Sequence, residues 1–249
     1  MLNAFVEIVD YISYYLSGTT RHGLHSPFVY DFADHVLYQS SELNFELIEN
    51  QRLNMIKSQS SNKNLSLSEI ASNQVLDSKY GRLLQRLVAY YQPQSILEVG
   101  NHTGIETNYI LSNWAMKNQP FNFYGSMKND AYYQKVKTET LNSFVSFYQP
   151  DFLNFYDSGV PQNNQLIDLA VIYGSKRSDQ IWELYDQFKY HLGTQSMLII
   201  TNIRLTNEHN IVWNQMTHLP EVTASVELFN MGILFFRTEQ RQQKFILRY

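Results

Sequence analysis

Glu98, Gly100 and Gly104 stand at the spacing Glu-x-Gly-x-x-x-Gly, and Asn101, His102 and Thr103 fill the gap. Ile96-Leu97 leads into the acid, and a helix-like run begins at Ile105. Doubly wound sheets hold nucleotide-type ligands this way. A strand delivers the backbone to a turn, glycine allows close approach, and the first amides of a helix face the ligand. The spacing is looser than the dinucleotide fingerprint Gly-x-Gly-x-x-Gly. His102 is the side chain here best suited to act as a base, although a lone loop histidine is also an ordinary surface hydrogen-bonder. Asn101 and Thr103 serve equally well as plain helix caps. Lys176 is the second catalytic candidate, following an apolar run. Its bland reading, supported by Arg177 beside it, is a solvated lysine at a helix start.

Other chemistries find no footing. There is no Gly-x-Ser-x-Gly elbow, no Gly-Lys-Ser/Thr phosphate loop and no His-Glu-x-x-His. His22 and His25 have no carboxylate or third histidine beside them in sequence, so capping and packing are expected there rather than a metal. The absence of cysteine excludes disulfides, zinc-thiolate sites and thiol nucleophiles, and is compatible with the cytoplasm, where the chain is expected. A net charge of -4 gives no electrostatic case for nucleic acid. No run approaches the ~20 apolar residues of a membrane span. Glu7 and Asp10 interrupt the partly apolar start, and no Lys or Arg precedes Arg21, so neither a membrane partner nor a secretory signal is expected. The 249 residues suit one large domain, or a domain with an extension, and can bury a full core. The 18 tyrosines and 15 phenylalanines are expected mainly to furnish that core and an amphipathic surface.

The elements that must position the glycine turn follow from periodicity. Phe5, Ile8, Val9, Ile12 and Leu16 predict an amphipathic helix over 3–16. Ser26-Pro27 reads as a helix start, because the hydroxyl caps free amides and proline loses no hydrogen bond at the first position. Further helices are predicted over Asn44–Lys57, Ser66–Ile70 and Tyr80–Tyr91, the last with Leu83, Leu84, Leu87 and Val88 on one face and Pro93 behind it. The polar tract Ser58–Asn64 reads as a linker. From Ser95 the period changes. Ile96–Val99, Phe121–Tyr124, Phe144–Tyr148, Leu169–Tyr173 and Met197–Thr201 are strand candidates, with helices between them over Gly104–Met116, Ala131–Leu141 and Asp179–Leu192. That alternation predicts a parallel sheet with helices on both faces. Val222–Phe229 and Gly232–Phe236 read as a hairpin joined by Asn230-Met231, and Phe245-Ile246-Leu247 as a continuation.

Over nearly its whole length the chain resembles the S-adenosylmethionine-dependent methyltransferases of Bacteroidetes-type bacteria, relatives of the small-molecule O-methyltransferases. Besides the glycine turn, the residues that carry the resemblance are Arg21-His22-Gly23-Leu24-His25-Ser26-Pro27-Phe28, Tyr80-Gly81-Arg82-Leu83-Leu84, Ile167 to Gly174, Ile199 to Thr206, and Gly232-Ile233-Leu234-Phe235-Phe236-Arg237. The resemblance implies a Rossmann-like, doubly wound, mostly parallel seven-stranded sheet with a C-terminal antiparallel hairpin over 80–249, behind a helical extension over 1–79. It implies S-adenosylmethionine as cofactor, met by Glu98, Gly100, Asn101, His102, Thr103, Gly104, Tyr124, Gly125 and Tyr173. Relatives use such extensions to cover the acceptor side or to form dimers, so packing on the sheet, or a homodimer, is expected.

The departures matter as much. Where such proteins end the second strand in Leu-Glu-Gly, with the acid on the ribose hydroxyls, this chain has Phe123-Tyr124-Gly125. Where the fourth runs into Ile-Asp-Gly-Asn-His, it has Ile172-Tyr173-Gly174-Ser175-Lys176. Where the fifth ends in Asp-Asp-Ile, it has Thr201-Asn202-Ile203. In metal-using relatives the latter positions supply acidic ligands. Neutral oxygens stand there now, so no metal is expected. Asp168 matches a family position ahead of the fourth strand and reads as structural. Two readings follow: a degenerate member, weakened or inactive in methyl transfer to a small acceptor and with its cofactor in doubt, or an active metal-independent methyltransferase.

Overall fold

The computed structural model describes residues 2–40, 43–61, 76–100, 104–112, 121–125, 145–148, 165–174, 177–238 and 241–249. The chain opens with α1 (Leu2–Ser17), a 3-10 turn (Arg21–Gly23) and α2 (Pro27–Phe32), which continues as a π-helical turn over Ala33–Leu37. Ser26 Oγ accepts from the Val29 amide at 3.4 Å, and Pro27 occupies the first turn, as its residue types dictate. Next is α3 (Glu46–Ser61), which runs on through Ser58–Ser61 where a linker was expected. An established helix gains one hydrogen bond per added residue, and that outweighs the weak preferences of Ser and Gln. The rest of that tract and the Ser66–Ile70 segment lie outside the described residues. α4 (Ser78–Tyr91) starts on Asp77, whose carboxylate accepts from Lys79 N at 3.0 Å, and ends at Gln92 with φ of 48°.

The strands are β1 (Ser95–Val99), β2 (Phe121–Gly125), β3 (Val145–Tyr148), β4 (Ile167–Ile172), β5 (Leu192–Thr201), β6 (Ala224–Glu227), β7 (Met231–Phe235) and β8 (Gln243–Ile246). They form one sheet in the order β3-β2-β1-β4-β5-β7-β6-β8. β7 runs antiparallel to β5 and β6, and the other pairs are parallel. The expected seven strands and hairpin are therefore present, with β8 added beside β6. Between strands lie α5 (Ile105–Leu111), α6 (Asp179–Phe188, followed by a 3-10 turn at Lys189–His191) and α7 (Asn207–Met216). α7 was not expected from the residue pattern; Thr206 caps it by accepting from His209 N at 3.4 Å. The Ala131–Leu141 segment lies outside the described residues.

Parallel strands are buried on both faces, so successive residues enter two separate cores. Ile96, Phe123, Leu169, Val171, Ile199 and Ile233 pack with Val29, Phe32 and Val36 of the N-terminal helices and with Leu83, Leu84 and Leu87 of α4. Leu97, Val99, Ala170, Ile172, Leu198 and Leu234 pack with Ile181 and Tyr185 of α6 and with Val212 and Trp213 of α7. The N-terminal helices thus share a core with the sheet. Two of the segments that carry the resemblance meet here: the Phe28 ring stands edge-on to Phe235 at 4.9 Å, and the Arg237 guanidinium lies 4.6 Å from the Phe28 centroid. The tail clasps the same helices. Tyr14 donates to the Leu247 carbonyl, Tyr38 to the Arg248 carbonyl at 2.8 Å, and Arg248 Nε to the Tyr15 carbonyl at 2.9 Å. Among the described residues no helix is long and apolar enough to cross a membrane.

Candidate functional site

β1, β2, β4 and β5 run in one direction, so Val99, Gly125, Ile172 and Thr201 reach the same edge of the sheet. Ligands of open α/β sheets bind at that edge. Gly100 leaves β1 with φ of 80°, and a Cβ there would lie 2.9 Å from the Tyr173 carbonyl oxygen. The Tyr173 amide donates to the Val99 carbonyl at 2.8 Å, which presses the turn against the exit of β4. Only glycine meets both demands. Gly104, with φ of 68°, caps α5. Asn101, His102 and Thr103, and likewise Lys176, lie outside the described residues.

Glu98 is 1% exposed, and a carboxylate so buried requires donors. Thr107 Oγ1 of α5 donates to its Oε2 at 2.6 Å, and the Tyr173 phenol donates to its Oε1. Burial pushes the Tyr173 phenol well above its usual range; the charges of Glu98 and Glu106 and the hydrogen bond to Glu98 add to the shift. The phenol therefore stays protonated and remains a donor. Glu106, also buried, accepts from the Leu76 amide at 2.9 Å. Glu106 and Thr107 were not singled out from the sequence. The available signal was an acid and a hydroxyl in the first turn behind the glycines, where the helix dipole favours negative charge.

The exits of β4 and β5 are tied to one another. The Gly174 amide donates to Thr201 Oγ1 at 3.2 Å, and Asn202 Nδ2 donates to the Gly174 carbonyl at 3.4 Å. Tyr124 faces the other core, opposite to Tyr173. Its phenol lies 3.4 Å from Gln165 Oε1, and Asn122 Nδ2 donates to that same oxygen at 2.8 Å. The phenol therefore shares its partner with Asn122, near the start of β2. Gly125 closes the strand, buried, with Phe123 against its α-carbon. Asp168 Oδ2 accepts from the Gln94 and Ser95 amides at 2.7 and 3.1 Å, which staples β4 to the beginning of β1 at the opposite edge. His22 and His25 are exposed, and no group of three or more His, Cys, Asp or Glu suited to a metal occurs among the described residues.

No family model matches the chain, and no curated protein matches it. Solved structures do. The O-methyltransferase of Streptomyces achromogenes involved in tomaymycin synthesis, solved with S-adenosylmethionine, aligns with a TM-score of 0.56 at 11% identity, over 78% of this chain and 91% of that one. The O-methyltransferase of Bacillus cereus, in complex with S-adenosylhomocysteine, aligns with a TM-score of 0.53 at 12% identity, over 84% and 97%. A methyltransferase of Geobacter sulfurreducens aligns with a TM-score of 0.52 at 15% identity, over 85% and 98%. At such identities the likeness is one of architecture, and the chain has the Rossmann-like fold of the S-adenosylmethionine-dependent methyltransferases.

Proposed function

We propose that this chain is a degenerate member of that methyltransferase class, weakened in methyl transfer from S-adenosylmethionine to a small-molecule acceptor. The observation that carries the reading is the bond from Tyr173 to Glu98. The residue that follows β4, an acid in the proteins the chain resembles, is here a phenol turned inward onto a buried carboxylate. Thr201 and Asn202 are likewise engaged with Gly174. These neutral groups do not fit a divalent cation, since Mg²⁺ in protein sites takes at least one or two carboxylates. At the end of β2 no acid stands ready for the ribose hydroxyls. Loss of one charged hydrogen bond, ~1.5–3 kcal/mol, weakens binding about tenfold to a hundredfold.

In this reading Gly100, Asn101, His102, Thr103, Gly104 and Gly125 face the cofactor, while Glu98 and Tyr173 brace the turn from beneath. The fold's solved neighbours with S-adenosylmethionine and S-adenosylhomocysteine support the cofactor class. A cytoplasmic location accompanies it. Titration calorimetry with both nucleosides is expected to give dissociation constants far above the micromolar range. Micromolar binding coupled to S-adenosylhomocysteine release would overturn the proposal.

The retained glycine geometry favours a second reading, an active metal-independent enzyme, because Gly100 and Gly104 keep the positive φ, 80° and 68°, that lets backbone approach a ligand closely. Transfer then rests on alignment of an in-line attack, with His102 or Lys176 as base. Turnover of phenolic acceptors undiminished by a chelator, and lost in His102→Ala or Lys176→Ala, would select it.

A further inference from the structure

The π-helical turn, the start of α3 and one face of α4 flank an open cavity of about 760 Å³. That lies within the ~300–1,000 Å³ typical of small-molecule sites. Lys79, Arg82 and Arg86 line it, three or four residues apart and so on one face of α4. Leu43 and Phe45 supply apolar lining, and Leu37, also in the lining, is 1% exposed.

The cations differ in what they have left to offer. The Arg86 guanidinium is built into the wall: Nε donates to the Val36 carbonyl at 2.7 Å, and Nη2 to the Leu37 carbonyl at 3.3 Å and the Tyr249 hydroxyl at 2.9 Å. Lys79 Nζ donates to a main-chain oxygen of Tyr249 at 3.2 Å and stands 4.9 and 5.5 Å from the Tyr80 and Tyr249 ring centroids, so hydrogen bonding uses one of the three protons of its ammonium. Arg82 reaches Glu49 Oε1 at 3.4 Å, lies 6.0 Å from the Phe45 centroid, and is 46% exposed. Most of the five donors of its guanidinium remain for a ligand.

Among the described residues three cations line the cavity against two acids, Glu46 and Glu49. Burial raises the Glu49 carboxyl, but the hydrogen bonds from Tyr109 and Arg52 and the charges of Arg52 and Arg82 outweigh it and hold the group below its usual range. Arg52, whose Nε donates to Glu49 at 2.9 Å, is not among the lining residues, so Arg82 does not compensate Glu49 alone. Among the described residues Glu46 is the other acid on the wall.

We infer that this cavity binds an organic anion, a carboxylate or phosphate borne on an apolar or aromatic body. Its head sits between Lys79 and Arg82, and its body lies against Leu43 and Phe45. The site shares no lining residue with the Glu98–Gly104 edge and does not depend on methyl transfer. Titration calorimetry on the full chain tests it, with phenyl phosphate and benzoate as probes and benzyl alcohol as the uncharged control. Saturable binding of either anion, with benzyl alcohol inert, is expected, and the tighter of the two identifies the preferred head group. Arg82→Gln and Lys79→Gln should each weaken that binding about tenfold to a hundredfold, with the circular dichroism spectrum unchanged. Glu46→Gln should tighten it, because a negative charge leaves the wall. The inference falls if neither anion saturates at millimolar concentration, if benzyl alcohol binds as well, or if both cation variants bind like the parent.

Discussion

Tyr173→Phe removes one oxygen and tests the inward-turned site directly. In the folded chain that oxygen donates to Glu98, which is 1% exposed and whose other carboxylate oxygen accepts from Thr107 at 2.6 Å. Water cannot easily replace the lost donor at such depth. A hydrogen bond to a charged group contributes ~1.5–3 kcal/mol, and for a chain of 249 residues each kcal/mol is about 2–4 °C in Tm. The expected loss is therefore ~3–12 °C. Tyr124→Phe is the matched control. It removes the same oxygen from a contact of 3.4 Å to a neutral amide, and should cost less than ~1 kcal/mol. Urea unfolding of Tyr173→Phe, Glu98→Gln and the double variant yields the coupling, expected at ~1 kcal/mol or more for groups in direct contact. Equal losses in the two phenylalanine variants, or additive losses in the cycle, would refute the bond's role.

Gly100→Ala forces a side chain onto a φ of 80° and sets its Cβ 2.9 Å from the Tyr173 carbonyl. The chemical-denaturation midpoint should fall by the equivalent of more than ~1 kcal/mol, and a variant as stable as the parent would contradict this account of the turn. Burial raises the phenols of Tyr14, Tyr80, Tyr91 and Tyr173 above the ordinary value of 10.0. Above that value the unfolded chain releases phenolic protons that the folded chain keeps, so stability is full below it and falls as pH rises further. Urea midpoints measured through the alkaline range should decline accordingly. Tyrosinate absorbance should lag until the chain unfolds, and a full phenol titration in the folded chain would contradict the burial.

The strand-turn-helix at Ile96–Ile105 was legible because a buried parallel strand is a continuous apolar run and a left-handed turn calls for glycine. α7 was not. Its buried residues His209, Val212, Trp213 and Met216 are spaced as a helix requires, but one is polar and Asn and Gln stand among them, so the stripe is faint. The direction of the site's side chains was hidden for a different reason. Glu98 pairs in register with Val171, so Tyr173, two residues further on, stands on the same face as Glu98, whereas Tyr124, in register with Leu97, stands on the other. Period-two alternation makes this plain once the register is known. Nothing local to either residue reports it across 75 positions.

That arrangement bears on whether the site is one substitution from an acid-bearing one. Tyr124 answers to Gln165, Thr201 and Asn202 to Gly174, and Tyr173 to Glu98. Each neutral group has a partner of its own, so the changes form separate local solutions rather than one vacated pocket. Tyr173→Asp would return the acid of the proteins the chain resembles, yet it would set a second carboxylate beside buried Glu98, with Glu106 close enough to act on the phenol it replaces. Like charges in a buried site raise one another's pKa. A carboxyl raised in the folded state contributes stability only while it holds its proton, so the variant should be less stable than the parent at neutral pH and recover part of the deficit as pH falls. Thermal melts across the mildly acidic range read this directly. Parent-like stability at neutral pH, with magnesium protecting the variant but not the parent, would mean that one added acid suffices to create a magnesium site here.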